Sequence, residues 1–407
     1  MKEIGWLVLS NKAISRQYTG AQERKEVFAF QKEFGARVIM SQLESRYKIH
    51  YVSENQLNLY PYTFFSCVSW YDFFSLVVAL KDLKPKTRLI IGGPGVGNVE
   101  HVADKIYAAV FGRCDYDPQE IIDGAKRDNI VYGMPTVVSI GQPQILHDKC
   151  IEGQEKSFGC IKKCFFCEYG WRYKSLTRKD ADKYHSGPSI EDFIKHADFK
   201  KKRRVVTGLD GLTEHERVCV NKKLSHQEFI DTLMRTDEAE GHVVLKLYSV
   251  VGLPCGKVDD FAEVRDAISE AGSRKKQSLT VIFYTSHFVP MPCTPMEQER
   301  VTMNTCPKIS PEQHGKIKLM TYLQGTGAAS AALETALYRA TGNEIEIFKD
   351  YIAQERFLKM QGRDRILAIK QLLPGILDER PEPMSWLTRT FKLAKHKERY
   401  YNLKRGA

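Results

Sequence analysis

Cys160, Cys164 and Cys167 stand in the stretch GCIKKCFFCEYGW with a C-x3-C-x2-C spacing, and no other feature of the chain restricts its fold and chemistry so tightly. Thiols this close cannot serve as a disulfide framework, because each would close a loop too short to staple distant segments. Their spacing instead suits metal. Three thiolates can ligate three irons of a cubane and leave the fourth iron open, whereas complete structural clusters take four cysteines. A zinc site is the competing reading; zinc ordinarily brings two C-x2-C pairs or added histidines at finger spacing, and the neighbouring sequence has neither. A 4Fe-4S cluster on these three cysteines is the expectation, with zinc or another cluster type as the alternative.

The chain around this motif has 407 residues, enough for two domains of ordinary size or a barrel with an extension. Hydrophobic residues make up 43% and charged residues 27%, and no apolar run approaches the roughly 20 residues that cross a bilayer. No membrane partner is expected. The opening segment MKEIGWLVLSNK reads as a first strand rather than a signal peptide, since it carries Glu3 and lacks a small-residue cleavage site; a cytoplasmic protein is expected. The net charge of +11 favours polyanions, with basic patches at KKKRR (residues 200–204) and KHKERYYNLKR (residues 395–405). Each patch reads equally as a nucleic-acid contact or as a solvated basic face.

Hydrophobic periodicity divides the chain into three regions. Residues 1–140 alternate strand-like and helix-like segments and predict a doubly wound, flavodoxin-like α/β sheet, with strands at EIGWLVLS (3–10), YTFFSCVSW (62–70) and RLIIGGPGVG (88–97). Residues 141–305 repeat βα units and predict a partial (β/α) barrel with the cysteine loop at its carboxyl-terminal mouth. Residues 306–407 predict a helical tail. The GGPGVG turn at residues 92–97 is not a dinucleotide fingerprint, because it follows a late strand rather than opening the first helix. Its glycines, Gly92, Gly93 and Gly95, fit either a tight turn or a crevice at the sheet edge that admits a cofactor tail.

The motif resembles that of the radical S-adenosylmethionine (SAM) superfamily, including the aromatic Phe166 before the last cysteine. GLDGLTEHERVCVNKKLS (208–225), LKLYSVVGLP (245–254) and HFVPMPCTPME (287–297) resemble barrel segments of members with an N-terminal cobalamin-binding domain, as do RLIIGGPGV and YAAVFGRCD in the first region. This resemblance covers most of residues 1–300. It implies a 4Fe-4S cluster on Cys160, Cys164 and Cys167 whose open iron chelates the amino and carboxylate groups of SAM and passes one electron to the sulfonium. It further implies Phe166 against the adenine, while the turn at Gly208, Asp210 and Gly211 either serves near the methionine moiety or is simply a barrel turn. Two departures stand out: there is no D-x-H-x-x-G triplet in the first 150 residues, and no G-G-E motif after the cluster. The first region accordingly either binds cobalamin without a protein ligand or keeps the fold and has lost the cofactor.

Other residues carry weaker signals. Asp210, Glu214 and Arg217 are placed at a barrel mouth, or cap and pair at a helix start. Lys246 and Tyr248 alternate on a strand and face the barrel interior unless the lysine snorkels. Cys255, Cys293 and Cys306 line a cavity, hold an auxiliary cluster, or simply pack. With only Cys67 and Cys114 in the first region, methylthiolation is disfavoured. The expected function is reductive cleavage of SAM to a 5'-deoxyadenosyl radical, with an electron donor such as flavodoxin or ferredoxin, for modification or rearrangement of a nucleic-acid base or nucleotide-linked group. A cobalamin-dependent C-methyltransferase and a non-catalytic iron-sulfur nucleic-acid binding protein are the alternatives.

Overall fold

The computed structural model describes residues 1–9, 34–112, 114–133, 138–139, 157–160, 162–172, 175–177, 199, 203–256, 261–302, 310–323, 327–360, 362–380, 384, 386–388 and 393–405. Its first sheet contains β1 (Lys2–Leu7), β2 (Tyr47–Val52), β3 (Tyr62–Ser66), β4 (Arg88–Gly93), β5 (Ala108–Phe111) and β6 (Ile130–Tyr132) in the order β2-β1-β3-β4-β5-β6. The first five strands are parallel and β6 is antiparallel to β5. This is the flavodoxin-like order, with the strand sequence reversing between β1 and β3. Central strands buried on both faces read as continuous apolar runs, as the RLII and AAVF stretches do. Helix Trp70–Leu80 follows β3 directly, where Asp72 Oδ2 accepts the Val68 and Ser69 N–H groups at 2.9 and 2.8 Å.

The second sheet is formed by β7 (Arg204–Asp210), β8 (Val243–Val251), β9 (Leu279–His287), β10 (Glu312–His314) and β11 (Ile317–Leu323), ordered β7-β8-β9-β11-β10. All are parallel except β10, which runs antiparallel to β11. Leu245, Leu247, Val281, Phe283 and Leu319 on one face pack against helices His226–Arg235 and Phe261–Arg274. The other face is left partly open. Parallel strands with helices on one face give an open arc compatible with a partial barrel.

Ile130–Tyr132 pairs with β5 as an antiparallel edge, and the GGPGVG turn leads into a 3-10 turn, Val99–Val102. One expectation needs correction. The helical pattern expected beyond 306 contains β10 and β11 first, so the second sheet extends past residue 305. The alternation Ile317, Leu319 on the helix side and Lys318, Met320 on the other is a strand period that polar flanks obscure. Helices do follow, at Ala328–Arg339, Asn343–Ile352, Gly362–Leu372 and Ala394–Arg405. They share a core with the first sheet, in which Phe73, Leu337, Tyr338, Phe348 and Trp386 are all buried.

Candidate metal centre

The cysteine loop is built by local backbone devices. Gly159 at φ 74 and Lys163 at φ 50 turn the chain in left-handed steps on either side of Cys160. Asn221, itself at φ 67, donates through Nδ2 to the carbonyls of Lys162 and Lys163 at 3.3 and 3.1 Å. Trp171 Nε1 donates to the Cys164 carbonyl at 2.8 Å, and helix Glu168–Arg172 closes on the loop at Gly170, where a Cβ would stand 3.1 Å from Lys163 Cα. Phe165 is buried between Trp171 and Tyr400, with ring centroids 6.1 and 6.0 Å away. Phe166 is half-buried against the same core.

The loop sits at the carboxyl ends of the second sheet's strands. Cys164 Sγ lies 3.6 Å from Asp210 Oδ2 at the end of β7, and Met296, beyond β9, donates its N–H to the Phe165 carbonyl at 3.4 Å. Asp210 is a non-glycine residue at φ 68, next to a register shift between Gly208 and Asp210. Such strain persists where surroundings over-determine it. Here they do: Lys222 Nζ pairs with Asp210 Oδ2 at 2.8 Å and donates to the Gly208 carbonyl at 3.3 Å. Gly211 allows the next helix to approach, for a Cβ there would lie 2.6 Å from Arg217 N. The structure thus brings Cys164, Asp210, Gly208 and Lys222 together. It places Phe166 beside them in the loop, facing the aromatic core.

The sulfurs are dressed for a cation. Cys167 Sγ accepts the Tyr169 and Gly170 N–H groups, and Cys160 Sγ accepts the Lys162 N–H at 3.4 Å. Burial pushes the Cys167 thiol up to about 11 and the Cys164 thiol further, with the Asp210 carboxylate raising the latter again and Lys222 lowering it. A thiolate at either position would therefore need a compensating positive centre. Among the described residues no three His, Cys, Asp or Glu side chains converge on a point that one ion could occupy. Two of the three thiols on this loop, Cys160 and Cys167, have neighbouring N–H groups turned to sulfur, an arrangement that would support a cluster-ligating thiolate.

Other expected site residues have structural employment. Glu214 accepts the His226 N–H at 2.7 Å. Arg217 is wholly buried and donates to the carbonyls of Leu224 and Leu212 at 2.9 and 3.0 Å and to Glu263 at 3.2 Å, so it clamps the core below the mouth. Cys255 hydrogen-bonds with Cys219 in the core under the cysteine loop, while Cys293 is buried in the core shared with the first sheet. Cys306 lies outside the described residues. Lys246 Nζ donates to Tyr284 Oη at 2.8 Å.

The crevice expected beside Gly92, Gly93 and Gly95 is filled by the chain itself. A Cβ on Gly95 would stand 2.2 Å from the Ser69 carbonyl oxygen, and one on Gly97 would stand 3.0 Å from Tyr338 Cε1. Buried Arg172 donates to the carbonyls of Pro94 and Val96 at 3.1 and 3.4 Å. Asn98 Nδ2 donates to Ala340 at 2.7 Å, and His101 Nε2 lies 2.9 Å from the Leu337 carbonyl. The described residues on this side of the edge do not fit a cobalamin tail; residues 10–33, which follow β1 at the order reversal, lie outside the described set. Arg172, Asn221 and Lys222 were not singled out from sequence. Only Asn221 carried a local signal, as a residue type that tolerates positive φ.

No protein-family model and no curated protein matches the chain. Among solved structures, it is similar to the selenomethionine-labelled apo form of the cobalamin-dependent S-adenosylmethionine radical enzyme OxsB, at 9% identity and a TM-score of 0.25, over 96% of this chain and 58% of that one. The same enzyme with aqua-cobalamin bound gives 10% identity and a TM-score of 0.23, over 99% and 55%. The chain spans less than two thirds of that enzyme's length, and scores this low leave the architecture to be defined by the strand orders above.

Proposed function

We propose that the chain is a radical SAM enzyme, with Cys160, Cys164 and Cys167 as the ligands of a 4Fe-4S cluster. The observation that carries the reading is the C-x3-C-x2-C loop held over the carboxyl ends of a parallel sheet, where enzymes of this architecture place their chemistry. A cluster bound there would supply one electron for reductive cleavage of SAM to a 5'-deoxyadenosyl radical. The chain's own residues do the rest. Lys222 fixes the Asp210 carboxylate beside Cys164, which leaves an acceptor at the mouth for ammonium or hydroxyl groups of a ligand. Phe165, Trp171 and Tyr400 exclude water from the loop's inner side.

The substrate reading is a nucleic-acid base or nucleotide-linked group, supported by the net charge of +11. Anaerobic reconstitution should give about four irons per chain, and reductant with SAM should release 5'-deoxyadenosine. Cys164→Ala should lose both. Iron retained by a variant lacking all three cysteines, or no deoxyadenosine from an iron-replete protein, would overturn the assignment.

A further inference from the structure

Val220, Asn221 and Lys222, which follow helix Glu214–Cys219, all grip the cysteine loop, each by a different means. The Val220 carbonyl accepts the Phe165 N–H at 3.1 Å. Asn221 Nδ2 donates to the Lys162 and Lys163 carbonyls at 3.3 and 3.1 Å. Lys222 reaches the loop through Asp210, whose Oδ2 lies 2.8 Å from Lys222 Nζ and 3.6 Å from Cys164 Sγ. The segment is itself pinned, because the Lys222 N–H donates to the Arg217 carbonyl at 2.7 Å. The first two contacts shape the loop and need no charge. The third sets a full ion pair against a sulfur.

Taking such a pair out of water costs more than shaping a loop requires. Lys222 is 4% exposed, whereas Lys223, the next residue, lies at the surface. Other charged groups of the loop are directed elsewhere: Lys163 Nζ stands over the Trp171 ring, 5.3 Å from its centroid, and Glu168, next to Cys167, is paired with Arg172 at 3.4 Å. Charges this close to a sulfur, and this far out of solvent, act with little screening. An electron delivered to a centre that includes Cys164 is opposed by the Asp210 carboxylate and favoured by the Lys222 ammonium. Net local charge and solvent exposure are among the quantities that fix an iron-sulfur potential, and groups behind the ligands supply them.

We infer that Lys222 is a positioning residue that sets the reduction potential of the centre: its buried ammonium cancels the field of the Asp210 carboxylate, which would otherwise oppose entry of an electron beside Cys164. This deepens the proposed function and rests on its cluster assignment, but not on SAM cleavage. The step is a transfer of one electron. A low-potential external reductant is oxidised by one electron and the cluster is reduced by one, while Asp210 and Lys222 keep their charges.

The test is a potentiometric titration of the reconstituted full-length protein with dithionite and viologen mediators, with the reduced cluster read by electron paramagnetic resonance. Lys222→Met leaves the carboxylate unbalanced and should lower the potential, by about tenfold or more in the one-electron equilibrium constant, ~59 mV. Asp210→Asn leaves the ammonium unbalanced and should raise the potential by a similar amount; asparagine tolerates the φ of 68 at this position. The double variant should return close to the parent, and Lys222→Arg, which keeps the charge, should remain there. A merely structural role would move both single variants the same way, through looser packing and greater solvent access. Iron content and melting curves accompany each titration, and Lys222→Arg with Asp210→Asn carries the comparison if Lys222→Met takes up no iron. Shifts of one sign in the two single variants, or potentials equal to the parent's, overturn the inference and leave the cluster in place. A parent protein that takes up no iron overturns the cluster assignment and the inference together. Iron-replete protein that shows the opposed shifts but releases no 5'-deoxyadenosine sinks only the enzyme reading.

Discussion

His101 shows how much a single buried ring commits the chain. It is held at the edge of the first sheet with Nε2 on the Leu337 carbonyl, and burial pulls its pKa down from 6.5 to about 4. The unfolded chain therefore binds a proton between pH 6.5 and 4 that the folded chain refuses. Stability from this group is present above pH 6.5 and is lost as pH falls toward 4, by about 3 kcal/mol across the window. Urea unfolding at pH 7.0, 6.0, 5.0 and 4.5 should show this decline beyond that of His101→Gln, which has no proton to gain. Parallel curves for the two proteins would remove His101 as the cause. In sequence His101 is one of 11 histidines with no motif around it, and its role comes from a carbonyl 236 positions away. The cysteine loop is the reverse case: its three thiols are adjacent in sequence, so spacing alone shows them. Asp210 was legible as a strand end, but its partner Lys222 depends on how the chain returns after helix Glu214–Cys219.

Among the elements, helix Ala394–Arg405 departs furthest from its sequence reading. Its basic, tyrosine-bearing composition suggested a surface for phosphates and bases, yet Tyr400 is buried against Phe165, and two of its lysines serve buried carboxylates. Lys397 Nζ meets Glu297 at 2.9 Å and Lys404 Nζ meets both oxygens of Glu299 at 2.8 Å. Charge was legible in the sequence; the Glu297 and Glu299 partners, about 100 residues earlier, were not. A buried ion pair costs most when only one member is removed. Lys404→Met should therefore destabilise the protein by about 3 kcal/mol in chemical denaturation, and adding Glu299→Gln should recover most of that loss. If the double variant is no more stable than the single one, Glu299 is not the group that Lys404 compensates. The strands were easier to read because parallel, doubly buried segments are continuous apolar runs, as in β4 and β5; β11 escaped because its alternation was diluted by lysines and followed a helix-like composition.

At the scale of the whole molecule, the C-terminal helices and the first sheet share one core, and Arg172 ties the cysteine loop to the β4 turn of that sheet. The centre is thus braced from both sides, and basic side chains lie beside it. Burial lowers the pKa of His396, and the lysine at 163 with Arg399 and Lys395 lowers it further, so these basic groups gather beside Trp171 and the loop. Lys395 and Arg399 are exposed, whereas Lys397 and Lys404 are spent on carboxylates. If a polyanion is the partner, its affinity should fall steeply with salt as counterions are released, and Lys395→Ser with Arg399→Ser should reduce the slope of log K against log salt by about 1.5 to 2. Flat salt dependence in the parent protein, measured with single-stranded DNA, duplex DNA and RNA, would argue against nucleic acid at this face. Binding by itself says little, because any chain of charge +11 associates weakly with DNA. The chemical outcome decides it: nucleosides digested from host DNA and RNA, compared by mass spectrometry with and without the gene, should differ in one modified base. Identical nucleoside profiles, from a protein that does release 5'-deoxyadenosine, would move the substrate from nucleic acid to a free nucleotide or another metabolite while leaving the cluster chemistry in place.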